Sequence, residues 1–254
     1  MRFTKLFALS VIVAALPIAT SAVAQQPLAA AVANTGARST DNVKLDESRK
    51  PAELLKFFGL KPGTQVIDMF GGNGYWTEII APAVGPKGKV YVWEPTQFFD
   101  DKAKAEFAKV TSKNPNVSIT SSPFEAPQLP SNYADFMLIN LDYHDVYWES
   151  AKYGVKRMEP ADFLKAVYAS LKPGGIVGVV DHTASPGGDT RAVVDKVHRI
   201  DPAVVKADFE RAGFKLVGTS DMYRNAADDH SLLVFDPKVR GKTDRFVMKF
   251  QKPR

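Results

Sequence analysis

Two carboxylates and a run of glycines are the residues best placed to do chemistry in this sequence. In Val66-Ile67-Asp68-Met69-Phe70-Gly71-Gly72-Asn73-Gly74-Tyr75-Trp76-Thr77 an apolar run ends in an acid, a glycine bend follows, and bulky residues resume. Glycine allows positive φ and lets a ligand come close to the backbone. A helix starting behind such a bend offers free N–H groups to an anionic group. A second apolar run, Lys89-Val90-Tyr91-Val92-Trp93, ends in Glu94, twenty residues beyond Gly74. An acid at that distance can accept both hydroxyls of a ribose. The pattern describes a site for an adenosine-containing ligand. A negative Asp68 suits a ligand bearing positive charge and repels a pyrophosphate. The competing reading is a nicotinamide dinucleotide site, which asks for G-x-G-x-x-G. Thr77 stands where the third glycine would be.

Such residues work only if strands and helices bring them to one edge. The sequence from residue 65 onward alternates accordingly. Strands are expected at 65–70, 89–94, 117–121, 134–140, 175–181, 214–221 and 244–250, and helices at 75–83, 98–111, 160–171 and 202–212. Single helices between strands imply parallel pairing through right-handed crossovers. The last strand follows another with no helix between, so it should enter antiparallel. The expected fold is α/β: a doubly wound, Rossmann-like, seven-stranded and mostly parallel sheet with helices on both faces. A further helix should run from Asp46 as its cap to Gly59, with Leu54, Leu55, Phe57 and Phe58 on its apolar side.

In doubly wound sheets ligands bind beyond the carboxyl ends of the strands. The fourth strand ends at Asn140 and leads into Leu141-Asp142-Tyr143-His144-Asp145, and the fifth ends at Asp181-His182. His198 and His230 fall in later connections, so all four histidines should share one side of the sheet. His144 is the first choice for a general base, since imidazole titrates near neutral pH, with Asp145 or Asp142 to orient it. The alternative is an ordinary loop histidine. Asp142 and Asp181 with nearby imidazoles could hold a metal, but no spacing demands one, and none is assigned. Tyr143, Tyr147, Trp148 and Tyr153 could line an aromatic pocket or simply pack a lid.

The motif of Asp68, Gly72 and Gly74, together with Glu94, resembles that of the class I S-adenosylmethionine-dependent methyltransferases. Leu171-Lys172-Pro173-Gly174-Gly175 resembles that family's turn into the fifth strand. The resemblance covers residues 50 to 221, and the later part looks like a predicted exported group of that family with no assigned substrate. It implies S-adenosyl-L-methionine as cofactor, held by Asp68, Gly71, Gly72, Asn73, Gly74, Glu94, Phe124 and Asn140. It implies methyl transfer to a small-molecule or exported acceptor, at oxygen or nitrogen ahead of carbon. The sequence departs from the family's pattern in two places. Phe70 replaces the usual first glycine, with Gly71 at a variable position. Pro123 falls where an acid or polar group often meets the adenine, leaving Phe124 to stack on it and Glu125 as a substitute acceptor. A non-catalytic binder of the same fold is the alternative.

Composition narrows the remaining choices. The chain has 254 residues, 45% hydrophobic and 24% charged, enough for one full α/β core. A net charge of +5 without a basic run argues against nucleic acid as a partner. Cysteine is absent, which removes thiolate catalysis and disulfides. Residues 1–24 read as a Sec-type signal peptide: Arg2 and Lys5, an apolar stretch from Leu6 to Leu16, then Ala22-Val23-Ala24 as a cleavage site. Export, in a bacterium to the periplasm, with no stable membrane anchor afterwards, is the expectation. Residues 25–45 read as a tail or linker and 46–254 as the methyltransferase-like domain.

Overall fold

The computed structural model describes residues 26–254, so the signal-peptide expectation for 1–24 lies outside the described residues. A seven-stranded sheet runs in the order β3-β2-β1-β4-β5-β7-β6. Its strands are β1 (Gln65–Met69), β2 (Lys89–Pro95), β3 (Val117–Ser122), β4 (Ala134–Asn140), β5 (Leu171–His182), β6 (Lys215–Ser220) and β7 (Arg245–Gln251). The first five pair in parallel, and β7 lies antiparallel between β5 and β6. The strand order reverses between β1 and β4, which places a crevice beyond the ends of those strands.

Helices cover both faces because the strands alternate in what they present to each side. On one face, α7 (Pro160–Ser170) and α9 (Pro202–Arg211) bring Phe163, Leu164 and Phe209 against Ile67, Met137 and Val179. On the other, α4 (Pro51–Phe58), α5 (Tyr75–Val84) and α6 (Asp101–Lys113) bring Phe58, Ile80 and Phe107 against Val66, Val92 and Leu138. Each such buried side chain contributes roughly 1.5–3 kcal/mol. Asp100 caps α6 by accepting from Ala103 N–H at 2.8 Å, and Asp201 caps α9 from Ala203 N–H. No helix among the described residues is long and apolar enough to cross a membrane.

Three expectations are corrected. The helix expected from Asp46 to Gly59 is two helices, α3 (Asp46–Arg49) and α4, broken at left-handed Lys50 (φ 38°). Proline disfavours helical geometry in the residue before it, so Pro51 opens a new helix. Asp46 makes no cap hydrogen bond; both its oxygens pair with Arg38 at 2.7 Å, and Oδ1 also accepts from Tyr75 Oη. The third correction concerns an element not foreseen at all. A helix at Thr190–Val197, α8, is capped by Asp189 and ends on left-handed His198.

Residues 28–45, expected as a tail or linker, fold onto the domain as α1 (Leu28–Ala33), a 3-10 turn (Thr35–Ala37) and α2 (Thr40–Val43). Ala31, Arg38 and Asn42 are buried there. The fully buried Asn42 donates to Glu78 Oε2 at 2.8 Å and accepts from Asn73 Nδ2 at 2.6 Å. This arm therefore clamps the glycine bend to the start of α5. Replacing Asp46 by Ala leaves the Arg38 guanidinium buried without its partner. We expect Asp46→Ala to lower unfolding free energy by about 3 kcal/mol in urea titrations.

Candidate active site

The bend after β1 is shaped by steric demand. Gly71 has no room for a side chain: a Cβ there would lie 2.2 Å from Val92 and 2.9 Å from Phe107. The position is therefore fixed by packing, contrary to the variability expected of it. Gly74 (φ 77°) caps α5 and would meet Val110 at 2.9 Å. Gly72 differs: its bare side faces open space, with Phe70 O at 3.8 Å the one atom a Cβ would meet. The bend thus packs on the protein through Gly71 and Gly74 and opens outward at Gly72.

Both carboxylates converge on this bend. Asp68 is buried, and its Oδ2 accepts from Thr77 Oγ1 at 2.6 Å. Glu94 is buried, and its Oε2 accepts the Gly72 N–H at 2.8 Å. Burial pushes Asp68 up to about 6 against the hydrogen bond from Thr77 and the charge of Arg49. Burial pushes Glu94 up to about 7, opposed by the Gly72 N–H and aided by the charge of Asp68. Thr77, at the position of the third dinucleotide glycine, is fully buried and committed to Asp68.

A crevice of about 170 Å³ is lined by Arg49, Phe70, Gly71, Gly72, Asn73, Tyr75, Trp76, Asn140 and Asp142, among others. Asn73 and Asn140 thus stand where expected. Arg49 was not anticipated. It reaches the crevice from α3, its guanidinium 4.4 Å from the Tyr75 ring centroid. The charges of Asp68 and Asp142 act on it while burial lowers its pKa. It falls inside the helix expected from Asp46 to Gly59, and nothing in that pattern marked it as a ligand group. The Trp76 indole N–H is buried without an acceptor among the described residues. Gly72, the Arg49 guanidinium, the Asp142 carboxylate and the Trp76 ring line this crevice together, whereas Asp68 and Glu94 lie behind the bend and do not line it.

Phe124 does not fit the role expected of it. It is 1% exposed and packs in the core against Phe70, with ring centroids 5.7 Å apart, instead of lining the crevice. Its backbone N–H is held by Gln97 Oε1 at 3.0 Å. Glu125 pairs with Lys156 and Gln97 at the surface. A larger cavity of about 660 Å³, bordered by Tyr147, Leu164, Tyr168, Arg191 and Asp208, shares no lining residue with the crevice.

The polar groups after β4 divide in their roles. Asp142 lines the crevice, and its carboxylate makes no hydrogen bond to the described residues. Burial, with the neighbouring Asp145 carboxylate, pushes it well above the usual carboxylate range. His144 is buried, with Nδ1 2.8 Å from Asp181 Oδ1 and its backbone N–H donating to Asp181 Oδ2 at 2.8 Å. Burial alone would lower its pKa, but Asp145 and Asp181 outweigh burial and raise it to about 10. With Nδ1 held by Asp181 and Nε2 beside Asp145, His144 is not among the residues that line the crevice. Asp145 lies 3.3 Å from His144 Nε2 and 3.4 Å from His198 Nδ1. His182 bonds Thr243 Oγ1 at 2.7 Å, and His230 bonds Asp244 at 3.0 Å, so both make structural contacts. Tyr143 is core, donating to Asp208.

No family model matches the chain. Over 176 residues it is 25% identical to the ubiquinone/menaquinone biosynthesis C-methyltransferase UbiE of Ectopseudomonas mendocina, covering 68% of this chain and 60% of that protein. The match therefore spans less than two thirds of that relative's length. Among solved structures, a SAM dependent methyltransferase from Aquifex aeolicus superposes with a TM-score of 0.57 at 21% identity, over 84% of this chain and 99% of the other. The 1,6-didemethyltoxoflavin-N1-methyltransferase of Burkholderia thailandensis, with S-adenosylhomocysteine bound, gives 0.55 at 16% identity, over 85% and 80%. At these identities the likeness to the solved structures is one of fold. Strand order, the crevice at the sheet's reversal and these neighbours agree: the chain has the fold of the class I S-adenosylmethionine-dependent methyltransferases.

Proposed function

We propose that this protein is an S-adenosylmethionine-dependent methyltransferase acting on a small-molecule acceptor. The observation that carries the reading is that Gly71, Gly72 and Arg49 line one crevice while Glu94 is buried behind it and accepts the Gly72 N–H, with Asp68 buried at the end of the adjoining strand. Glu94 would accept the ribose hydroxyls, Arg49 would hold the amino-acid carboxylate, and Asp68 would offset positive charge. Asn73 and Asn140 would complete the wall. When bound, S-adenosylmethionine supplies a methyl group already activated on a sulfonium. The protein's task is then mostly positioning.

Asp142 is the group best placed to take the acceptor's proton, since it lines the crevice and lacks a hydrogen-bond partner among the described residues. A proton acceptor suits an oxygen or nitrogen nucleophile. The relative's C-methyltransferase name is a reason to include phenols, whose ring carbon is activated by the same deprotonation, in any acceptor screen. The leader-like residues 1–24 support an exported setting, testable by fractionating cells that express the full chain.

Calorimetry tests the reading. S-adenosylmethionine and S-adenosylhomocysteine should both bind, and Glu94→Ala or Arg49→Ala should each weaken binding by about 2 kcal/mol, roughly thirtyfold. Failure of both ligands to bind would sink the proposal. Binding without transfer in a broad screen would mark a binding module.

The pH dependence follows from the carboxyl shifts. Glu94 accepts ribose hydroxyls best when ionised, and in the free protein it titrates at about 7. Affinity should therefore climb as pH rises through about 6 and 7 and level off above, and Glu94→Gln should flatten the rise. The folded pKa values of both acids exceed the unfolded ones. Their contribution to ligand-free stability is thus fully present below about pH 4 and lost as pH rises through the folded values. Thermal melts of the free protein against pH should show that direction.

A further inference from the structure

Beside the crevice, three ligand-type atoms from two distant parts of the chain meet at nearly equal distances. His144 Nε2 lies 3.3 Å from Asp145 Oδ1, His198 Nδ1 lies 3.4 Å from the same oxygen, and the two nitrogens are 3.4 Å apart. These separations are long for hydrogen bonds, which run at about 2.7–3.2 Å between nitrogen and oxygen. Asp145 Oδ1 is moreover buried and hydrogen-bonded to nothing among the described residues, although two imidazole nitrogens stand beside it. A buried carboxylate oxygen left so is costly unless something else takes it up.

We propose that His144, Asp145 and His198 form a divalent-metal site of zinc type with one coordination position open. Zinc bonds to imidazole and carboxylate at about 2.0–2.2 Å. In a tetrahedron, bonds of that length hold the ligand atoms about 3.3–3.6 Å apart, whereas octahedral neighbours would sit at roughly 2.9–3.1 Å. The observed triangle is therefore one face of a tetrahedron. Three protein ligands and a vacant fourth position are the arrangement of catalytic zinc sites.

The surroundings are built for the same end. Asp181, fully buried, grips His144 at Nδ1 and at the backbone N–H, which points Nε2 toward Asp145. A carboxylate behind a ligating histidine sets the tautomer and strengthens the ligand. His198 is left-handed (φ 49°), a strained geometry for a residue other than glycine or asparagine, and it delivers its imidazole from the end of α8. The Trp148 and Phe235 rings pack on that imidazole, each with its centroid 5.3 Å away. Phe235 is 55% exposed, so the site lies under an aromatic rim at the surface. The convergent set is not the Asp142–Asp181 pairing weighed from the sequence: Asp181 supports a ligand, and Asp142 faces the crevice.

The inference stands apart from methyl transfer and is tested without any nucleoside. The purified chain, stripped with chelator, is titrated with Zn(II) by calorimetry and with Co(II) by visible absorption. We expect one zinc per chain and the intense absorption of four-coordinate cobalt. His198→Asn, which tolerates the left-handed backbone, and Asp145→Asn should each weaken zinc binding by at least about tenfold. Asp181→Asn should weaken it about 10- to 100-fold, while His230→Asn leaves it unchanged. Circular dichroism confirms that each variant is folded, and the cobalt spectrum of the unaltered chain stands on its own. Absence of stoichiometric zinc uptake, a weak six-coordinate cobalt spectrum, or full affinity in both folded ligand variants would overturn the assignment.

Discussion

The hydrogen bond from the Gly72 N–H to Glu94 Oε2 ties the glycine bend after β1 to the end of β2, and much of the surrounding structure exists to make it possible. Glu94 ends β2, and Gly72 belongs to the bend after β1. The two meet because Gly71 lets the bend settle onto Val92 and Phe107. A methyl group at Gly71 would lift the backbone away from β2 and take the Gly72 N–H with it. Close packing and electrostatics therefore act on consecutive residues. Gly71 sets the depth of the bend, and Gly72 receives the charge. Burying Glu94 and Asp68 together leaves two acids whose charges disfavour each other's ionisation. Such a pair favours a cationic visitor.

The amino-terminal arm contributes the cation that the core lacks. Arg38 and Asp46 brace α3, Tyr75 bonds Asp46, and the ring of Tyr75 lies under Arg49. Asn42 meanwhile ties Asn73 of the bend to Glu78 on α5. The arm and the bend therefore share one hydrogen-bonded network, and loosening the arm alters the crevice as well as the amino terminus.

The features legible in the sequence were those encoded over a few neighbouring residues. The alternation of strands and helices, the antiparallel β7, Asp68 at the end of β1 and Glu94 at the end of β2 follow from local hydrophobic period and from glycine. The structure shows the same seven strands, with boundaries shifted by a few residues; β5 begins at Leu171, four residues before the expected start. What escaped depends on contacts between distant segments. Arg49 reaches the crevice because the helix expected from Asp46 to Gly59 breaks at Lys50 into two. Phe124 packs in the core against Phe70, a contact between segments more than fifty residues apart. His144 is held at Nδ1 by Asp181, thirty-seven residues away. His198 joins the cluster only because its backbone is left-handed, which no periodicity reveals.

Phe70 gives the bend a further property. It holds a left-handed backbone (φ 54°) where the resemblance led us to expect glycine, at a cost of roughly 1–2 kcal/mol. Its ring meets Trp93 edge-on at 5.0 Å and stacks near Phe163 of α7 at 6.2 Å, contacts worth about 0.5–1.5 kcal/mol each. A glycine would leave this stretch free to sample many shapes. An aromatic residue rooted beneath the sheet edge holds one shape from the moment the chain folds. An arriving nucleoside then meets a rigid mould, and little conformational freedom is left for it to quench.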